Sequence, residues 1–268
     1  MGAYRIINLE TVDSTNDYIK ELLHEGSAMP LLVSASRQSG GRGRHGRSFF
    51  SPPGGIYMSF TFDACAVSGE DLLAITPITA ILVRRAIESI IFPRALPAIK
   101  WVNDIYIGGK KVSGVLTELF TDRSGFDHVI IGIGINFMRS DVPEDLKDII
   151  GFVSDSMIDM SHSASGACAS EKMLNISEYR SSLITELANS LNETFASGRK
   201  SERASYLAEY RKYCDTLGKK IAVRRRDGTV RPGIAVDIND DFELIFAPAG
   251  KNQTERLSSV EASITVIT

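Results

Sequence analysis

The sequence predicts an α+β fold, in which a β-sheet flanked by helices is followed by a small C-terminal β-barrel. Three observations favour this class. Strand-like segments alternate with two helical patterns in the first half of the chain, two further amphipathic segments follow, and only short β segments separated by turns occur after Gly218. We therefore expect two domains, residues 1–217 and residues 218–268.

The first part of the chain contains seven predicted strands and two predicted helices. Ser14 is a typical N-cap, with Asp17 as its capping-box partner, and Thr76-Pro77 begins a helix that continues to Ile91. Gly108-Gly109 predicts a tight turn between two strands. Apolar alternation predicts strands at residues 4–9, 31–36, 56–62, 98–101, 105–107, 112–120 and 128–136.

The second part begins with a segment rich in Ser and Ala, residues 154–170, for which we expect a surface loop. Amphipathic patterns predict helices at residues 177–195 and 202–213. Turn signals such as Asp227-Gly228 then separate the short strands of the expected barrel, at residues 221–226, 229–238, 242–246 and 263–267.

Composition and charge exclude several classes of protein. The 268 residues include 30 Lys and Arg against 33 Asp and Glu, a net charge of −3, which argues against bulk nucleic-acid binding. Because no apolar run approaches the roughly 18 residues of a membrane span, we expect no membrane partner. Cys65, Cys168 and Cys214 are too widely spaced for a metal pair or a disulfide framework, so we expect a reducing cytoplasm.

An arginine- and glycine-rich segment, residues 37–47, is the strongest sign of function. It contains four Arg and four Gly, and no Asp or Glu occurs between Gly26 and Phe62. Glycine lets the backbone wrap closely around a ligand, and arginine offers paired donors to carboxylate and phosphate oxygens. The segment therefore predicts a loop that binds an anion. A flexible turn or an arginine–glycine RNA-binding tract is the alternative.

A strand end at Lys100–Asp104 and the hairpin that follows it carry several polar groups. Lys100–Asp104 offers an ammonium, an aromatic ring, an amide and a carboxylate, and the hairpin returns with Lys110-Lys111. Strict alternation places Lys111 and Ser113 on one face of the returning strand, so that one lysine can face a pocket while its neighbour faces solvent. Taken alone, the segment favours the alternative, a pair of lysines that both face solvent.

Alternating glycines mark another predicted strand, at residues 131–136. Gly132 and Gly134 remove side chains from one face and leave room for a ligand or for close packing, and Asn136 ends the strand with an amide.

Several familiar catalytic patterns are missing from the sequence. It has no Walker A motif, no dinucleotide-binding fingerprint and no Gly-x-Ser-x-Gly turn, and its four histidines lack the spacing of metal ligands. We therefore predict no metal site. The sequence therefore favours a site that acts by positioning its ligands and neutralising their charge.

Taken together, these segments resemble the biotin–protein ligase family. The resemblance covers nearly the whole chain and rests on four motifs: Asp13–Asn16, Gln38 with Gly41–Arg47, Lys100–Asp104, and Lys111–Leu116. Two departures are Val102, where the family usually has proline, and His45, where another arginine is common.

The resemblance implies a fold, a reaction and a partner. The fold is a mixed sheet of the class II synthetase type, with residues 1–217 as the biotin- and ATP-binding catalytic domain. The reaction activates biotin as biotinyl-5′-AMP, using ATP with Mg²⁺, and transfers it to a lysine of the biotin carboxyl carrier domain of acetyl-CoA carboxylase or a related carboxylase. The winged-helix module of repressor-type members is not found, so DNA binding is not expected. A monomer and a homodimer both stay open.

The resemblance also assigns site residues. Catalytic roles fall to Lys111 and Arg44. The expected biotin-binding residues are Ser14, Thr15, Asn16, Gln38, Arg42, Gly43, Arg44 and Lys111. The expected ATP-binding residues are Arg44, Arg47, Trp101, Asn103, Asp104 and Asn136.

Two other interpretations remain at this stage. A lipoate or octanoate protein ligase of the same superfamily would share the fold, although such enzymes carry a different glycine-rich motif. An RNA-binding module would use the Arg/Gly tract, against which the net charge of −3 argues.

Overall fold

A seven-stranded mixed β-sheet forms the first part of the computed structural model, which describes residues 4–69, 71–91, 94–157, 169–196, 203–225, 227–260 and 262–267. The strand order is β1-β2-β3-β7-β6-β5-β4; β1 is parallel to β2 and the other pairs are antiparallel. The strands are β1 Arg5–Val12, β2 Leu31–Gln38, β3 Ile56–Asp63, β4 Ala98–Lys100, β5 Asp104–Ile107, β6 Lys110–Thr121 and β7 Asp127–Ile135.

Helices cover this sheet, as predicted. In α1, Thr15–His24, the hydroxyl of Ser14 accepts from the backbone N–H of Asp17, and Ile19 and Leu23 pack against the sheet. Helix α2, Ile75–Ile91, is buried around most of its surface because it lies between the sheet and two later helices. The other helices are α3 Val153–Met157, α4 Ala169–Leu191 and α5 Arg203–Tyr213.

The prediction of a surface loop at residues 154–170 is wrong at both ends of that segment. Residues 153–157 form α3, and α4 already begins at Ala169. Val153 is buried in the main core, and its N–H donates to the carbonyl of Asn136, which explains a helical turn within a Ser-rich sequence. Residues 158–168, including Cys168 and His162, lie outside the described part of the chain.

Arg84 is a charged residue buried in the core on α2, with 1% of its surface exposed. Its Nε donates to the carbonyl of Pro97 at 3.1 Å, and its terminal nitrogens contact the carboxylates of Glu88 at 2.7 Å and Glu209 at 3.6 Å. The guanidinium also stacks on the ring of Tyr213, 3.2 Å from its centre. The burial of this cation therefore depends on several partners at once.

We expect Arg84→Ala to lower the free energy of unfolding by about 3 kcal/mol, because the change removes a buried side chain and leaves the buried carbonyl of Pro97 and two partly buried carboxylates without their shared partner. The neighbouring Arg85→Ala is the matched control: Arg85 also pairs with Glu209 but is 44% exposed, so its loss should cost less than about 1 kcal/mol. Chemical denaturation measures both. Equal losses would contradict this account of Arg84.

A second, antiparallel sheet follows the helices. Its strands are β8 Lys220–Arg225, β9 Val230–Ile238, β10 Leu244–Pro248, β11 Glu255–Leu257 and β12 Ala262–Val266, in the order β11-β10-β9-β8-β12. Within the described residues the two edge strands, β11 and β12, do not pair with each other. The small C-terminal β unit is confirmed, but the expected closed barrel is wrong.

The second sheet stays open because its apolar face is covered by the first part of the chain. Val223, Leu244 and Phe246 are buried in the same core as Trp101, whose Nε1 donates to the carbonyl of Phe242 at 3.0 Å. Closure into a barrel is not needed to bury this face. The domain boundary between residues 217 and 218 stays a prediction.

No helix in the described ranges is both long enough and apolar enough to cross a membrane.

Candidate functional site

A cavity lies beside the arginine- and glycine-rich segment, residues 37–47, which we call the Arg/Gly loop. Its other walls are the N-terminus of α1, the β4–β5 turn, β6, β7 and β12. These elements bring residues that are far apart in the sequence into one site. The cavity is lined by every predicted site residue except Asn136, namely Ser14, Thr15, Asn16, Gln38, Arg42, Gly43, Arg44, Arg47, Trp101, Asn103, Asp104 and Lys111.

Glycines form the floor of the cavity. Gly114 of β6 lies opposite Gly134 of β7, and Gly132 lies two residues further along the same face. A Cβ atom at Gly132 would lie 2.4 Å from Oδ1 of Asn16, and one at Gly134 would lie 2.5 Å from the ring of Phe49. The alternating glycines are thus required for polar and aromatic side chains to pack directly on the sheet.

A cluster of hydroxyl and amide groups lines one end of the cavity. The Oε1 atom of Gln38 accepts from the backbone N–H of Thr15 at 2.9 Å and from its hydroxyl at 3.0 Å. The hydroxyl of Ser59 lies 2.7 Å from Oγ1 of Thr15 and 2.5 Å from Oδ1 of Asn16. These groups are largely buried, so the cluster holds its side chains in one arrangement suited to a neutral polar ligand.

The lining of the cavity is also strongly cationic. Arg42, Arg44, Arg47, Lys100 and Lys111 belong to it, whereas Asp104 is the carboxylate among the described lining residues. This excess of positive charge is arranged to attract an anion.

Burial lowers the pKa of two of these cations. It lowers the pKa of the Arg44 guanidinium and of the Lys100 ammonium, and the nearby charge of Asp104 opposes this effect in both cases. Both side chains therefore give up part of their solvation in the cavity. A bound anion would supply the compensating charge.

The Arg/Gly loop is folded against the protein. Arg42 contacts the carboxylate of Asp17 at 2.7 Å, and Arg44 donates to Oδ1 of Asn103 at 3.2 Å and to the backbone carbonyl of Ser259. The loop thereby joins α1, the β4–β5 turn and the segment before β12. Such an arrangement differs from the extended tract expected of an arginine–glycine RNA-binding module.

Lys111 reaches the cavity because of an irregularity in β6. The pairing of β5 with β6 shifts register between Ile105 and Tyr106, so Lys111 does not share a face with Ser113 as strict alternation predicted. Its Nζ lies 2.6 Å from Oδ1 of Asp104, and a Cβ at Gly114 would be 3.0 Å from Nζ. Lys110 is exposed and donates to the carbonyl of Lys147, which confirms that the two lysines face different surroundings.

Asn136 is the predicted ATP-binding residue that the structure does not bring to the cavity. It is 4% exposed, and its Nδ2 donates to the backbone carbonyl of Lys111 at 3.1 Å. The backbone N–H of Lys111 donates to the carbonyl of Ile149, and its carbonyl accepts from the N–H of Gly151. Asn136 thus supports the main chain from which the Lys111 side chain projects.

We expect Asn136→Ala to lower the activity that depends on Lys111 by about tenfold, because a small displacement of a reacting group weakens catalysis strongly. Asn189→Ala is the matched control, because Asn189 is exposed and its amide accepts from Tyr4. Single-turnover rates measure the effect. A rate equal to that of the control variant would contradict a supporting role for Asn136.

The structure adds site residues that the sequence analysis did not assign. Lys100 was part of a recognised motif, but only the fold shows that it lines the cavity, and Phe49 follows the Arg/Gly loop. Ser59 lies beneath the cavity among the polar groups, and residues 262–264 of β12 complete the wall. The Lys-Trp-x-Asn-Asp motif could have signalled Lys100, and the position just after the Arg/Gly loop could have signalled Phe49. Ser59 and residues 262–264 carry no such signal, because they arrive through long-range strand packing.

The described residues contain no group of three or more His, Cys, Asp or Glu side chains placed to hold a metal ion.

Comparison with known proteins agrees with this geometry. The model of the Biotin/lipoate A/B protein ligase family matches residues 9–136, which contain most of the cavity. Among curated proteins, the bifunctional ligase/repressor BirA of Bacillus spizizenii is 36% identical over 152 residues, covering 56% of this chain and 46% of that protein. The biotin–[acetyl-CoA-carboxylase] ligase of Paracoccus denitrificans is 33% identical, covering 48% of this chain and 52% of that protein.

A solved structure matches almost the whole chain. The biotin protein ligase of Aquifex aeolicus, determined in complex with biotin and ATP, has a TM-score of 0.71 and 25% identity, covering 98% of this chain and 99% of that one. The alignments with the curated relatives span only about half of those relatives' length.

Residues 9–136 therefore match the biotin/lipoate A/B protein ligase family. The sequence and the fold of this chain are similar to those of biotin protein ligases.

Proposed function

We propose that the chain is an ATP-dependent ligase that converts biotin to biotinyl-5′-AMP and transfers the biotinyl group to a lysine of a biotin carboxyl carrier domain. The observation that carries this proposal is a single cavity lined both by a cluster of neutral hydroxyl and amide groups and by an excess of cations. Biotin needs both kinds of group, because its ureido ring is neutral and polar while its carboxylate is an anion. The solved relative from Aquifex aeolicus holds biotin and ATP.

In the first step, an oxygen of the biotin carboxylate attacks the α-phosphorus of ATP, and the bond to pyrophosphate breaks. Two anions must approach each other, so cations are needed beside both. Lys111 lines the same cavity as the polar cluster and the arginines of the Arg/Gly loop, so we assign to it contact with both the carboxylate and the α-phosphate. Arg44 and Arg47 extend the positive charge toward the nucleotide, and Mg²⁺ would arrive bound to the phosphates of ATP.

Other lining residues have roles in binding. Thr15, Asn16 and Gln38, with Ser14 beside them, would bind the ureido ring of biotin, and Arg42 with Gly43 would cover its chain. Trp101, Asn103 and Asp104 lie toward the nucleotide. Since Trp101 is 4% exposed and donates to Phe242, it contributes a rigid wall to the cavity.

In the second step, the neutral ε-amine of the carrier lysine attacks the carbonyl carbon of the mixed anhydride. The new amide bond forms as AMP leaves with the electrons of the broken bond, and the amine loses a proton. The carrier would belong to acetyl-CoA carboxylase or a related carboxylase, the substrate named for the relative from Paracoccus denitrificans. A cytoplasmic location fits the free thiols of Cys65 and Cys214.

Intact mass spectrometry tests the proposed function. The chain is incubated with MgATP, a biotin carboxyl carrier domain and either biotin, lipoate or octanoate, each acid in a separate reaction. We expect one biotinyl group on the carrier in the biotin reaction, and none on a carrier whose target lysine is replaced by arginine. Modification by lipoate or octanoate and not by biotin would instead identify a lipoate or octanoate ligase.

A further inference from the structure

A carboxylate lies beneath the polar end of the cavity. Glu118, on β6, does not line the cavity, but its Oε2 accepts from Nδ2 of Asn16 at 2.7 Å. Its Oε1 lies 2.9 Å from the ammonium of Lys20 on α1, and its side chain is 30% exposed. Glu118 therefore reaches the cavity through Asn16, one of the residues assigned to biotin.

The contacts of Asn16 determine which way its amide points. Nδ2 donates to Glu118, and Oδ1 accepts from the hydroxyl of Ser59 at 2.5 Å. A carboxylate accepts hydrogen bonds and does not donate them, so an amide turned the other way would bring two acceptor oxygens together. The amide also packs on Gly132, where a Cβ would be 2.4 Å from Oδ1. The side chain is thus fixed by shape and by donor–acceptor pairing.

The carboxylate is itself held in place. The ammonium of Lys20 contacts Asp17 at 3.3 Å as well as Glu118, and Asp17 pairs with Arg42 of the Arg/Gly loop at 2.7 Å. Positive and negative groups alternate along this row, which runs from the polar cluster to the loop. Each member therefore limits the position of the next.

We propose that Glu118 is a positioning residue for biotin specificity. It fixes the Asn16 amide so that this side chain presents a single pattern of donor and acceptor to the ureido ring, and Lys20 orients the Glu118 carboxylate. The proposal rests on the proposed function, since it concerns the pocket assigned to biotin.

Glu118→Gln tests the proposal without a change of shape. A glutamine side chain offers both a donor and an acceptor, so Asn16 loses the partner that selects its orientation. We expect the KM for biotin to rise about tenfold, as for the loss of a hydrogen bond to a charged group. The KM for ATP should stay within about twofold of the wild-type value, because the contact affects the binding of biotin alone. The temperature midpoint of unfolding should stay within about one degree.

Glu144→Gln is the matched control, because Glu144 also pairs with a lysine, Lys147, but is 88% exposed and does not line the cavity. It should leave both KM values unchanged. A wild-type KM for biotin in Glu118→Gln would overturn the proposal, as would an equal rise of both KM values with a lower unfolding midpoint.

Lys20 provides an independent test that applies even where Glu118→Gln does not fold. Lys20→Met should raise the KM for biotin about threefold, and Lys20→Arg should keep it at the wild-type value, because an ion pair that is still partly exposed contributes modestly. No change in Lys20→Met would count against the proposal. Biotin-dependent adenylate formation by the wild-type chain tests the proposed function. The ratio of variant to wild-type KM for biotin tests the role of Glu118. A failure of one proposal can therefore be told apart from a failure of the other.

Discussion

Lys111→Ala is expected to fold normally and to lose adenylate formation by on the order of 10²- to 10³-fold, the loss typical of one group that stabilises charge in a transition state. The ammonium of Lys111 lies 2.6 Å from Asp104 in the cavity that the polar cluster and the arginines of the loop also line. Without it, the biotin carboxylate and the α-phosphate of ATP repel each other. Release of pyrophosphate in a single turnover measures this step.

The neighbouring lysine supplies the control for this prediction. Lys110 lies one residue earlier on the same strand, is exposed and contacts the carbonyl of Lys147, so Lys110→Ala should retain the wild-type rate within about twofold. Comparison of the two variants separates the position of the charge from its mere presence. Release of pyrophosphate at the wild-type rate by Lys111→Ala would reject the role of Lys111.

Gly132→Ala is the second change with a large expected effect. The added Cβ would lie 2.4 Å from Oδ1 of Asn16 and 3.0 Å from its Cγ, so the amide must move away from the sheet. Asn16 is 3% exposed and has little space for this movement. We expect the affinity for biotin to fall roughly 10- to 100-fold, the range that corresponds to an overpacking cost of about 1–3 kcal/mol. Isothermal titration with biotin measures it.

Gly69→Ala is the corresponding control, because a Cβ at Gly69 meets no atom within 4 Å. It should bind biotin with the wild-type affinity. Wild-type affinity in Gly132→Ala as well would show that the contact between the glycine floor and Asn16 does not matter for binding.

Local patterns in the sequence were sufficient to predict most of the fold. Alternation of apolar residues located all seven strands of the first sheet within a few residues, and the cap at Ser14 located α1. The three-residue strand β11 was missed because so short a segment has no recognisable period. The closed barrel was predicted because strand patterns do not reveal what covers the outer strands or the apolar face of a sheet.

The site was predictable where chemistry is concentrated in a short segment, as in the Arg/Gly loop and at Lys100–Asp104. Glu118 and Ser59 carry no such signal, because each acquires its contact with Asn16 only after distant strands pair. The shift of register beside Lys111 is also invisible to a period-two analysis. Asn136 shows that a polar residue at a strand end need not line a cavity: its amide donates to the main chain of Lys111, and its predicted role in ATP binding stays a prediction.

We propose that one cavity holds biotin and the nucleotide on opposite sides of Lys111. A crystal structure of the chain with a non-hydrolysable analogue of biotinyl-5′-AMP would show where both parts bind. We expect a phosphate oxygen of the analogue within about 3.5 Å of Nζ of Lys111, with the ureido ring against Thr15, Asn16 and Gln38. An analogue that binds away from both Lys111 and the Arg/Gly loop would rule out this arrangement.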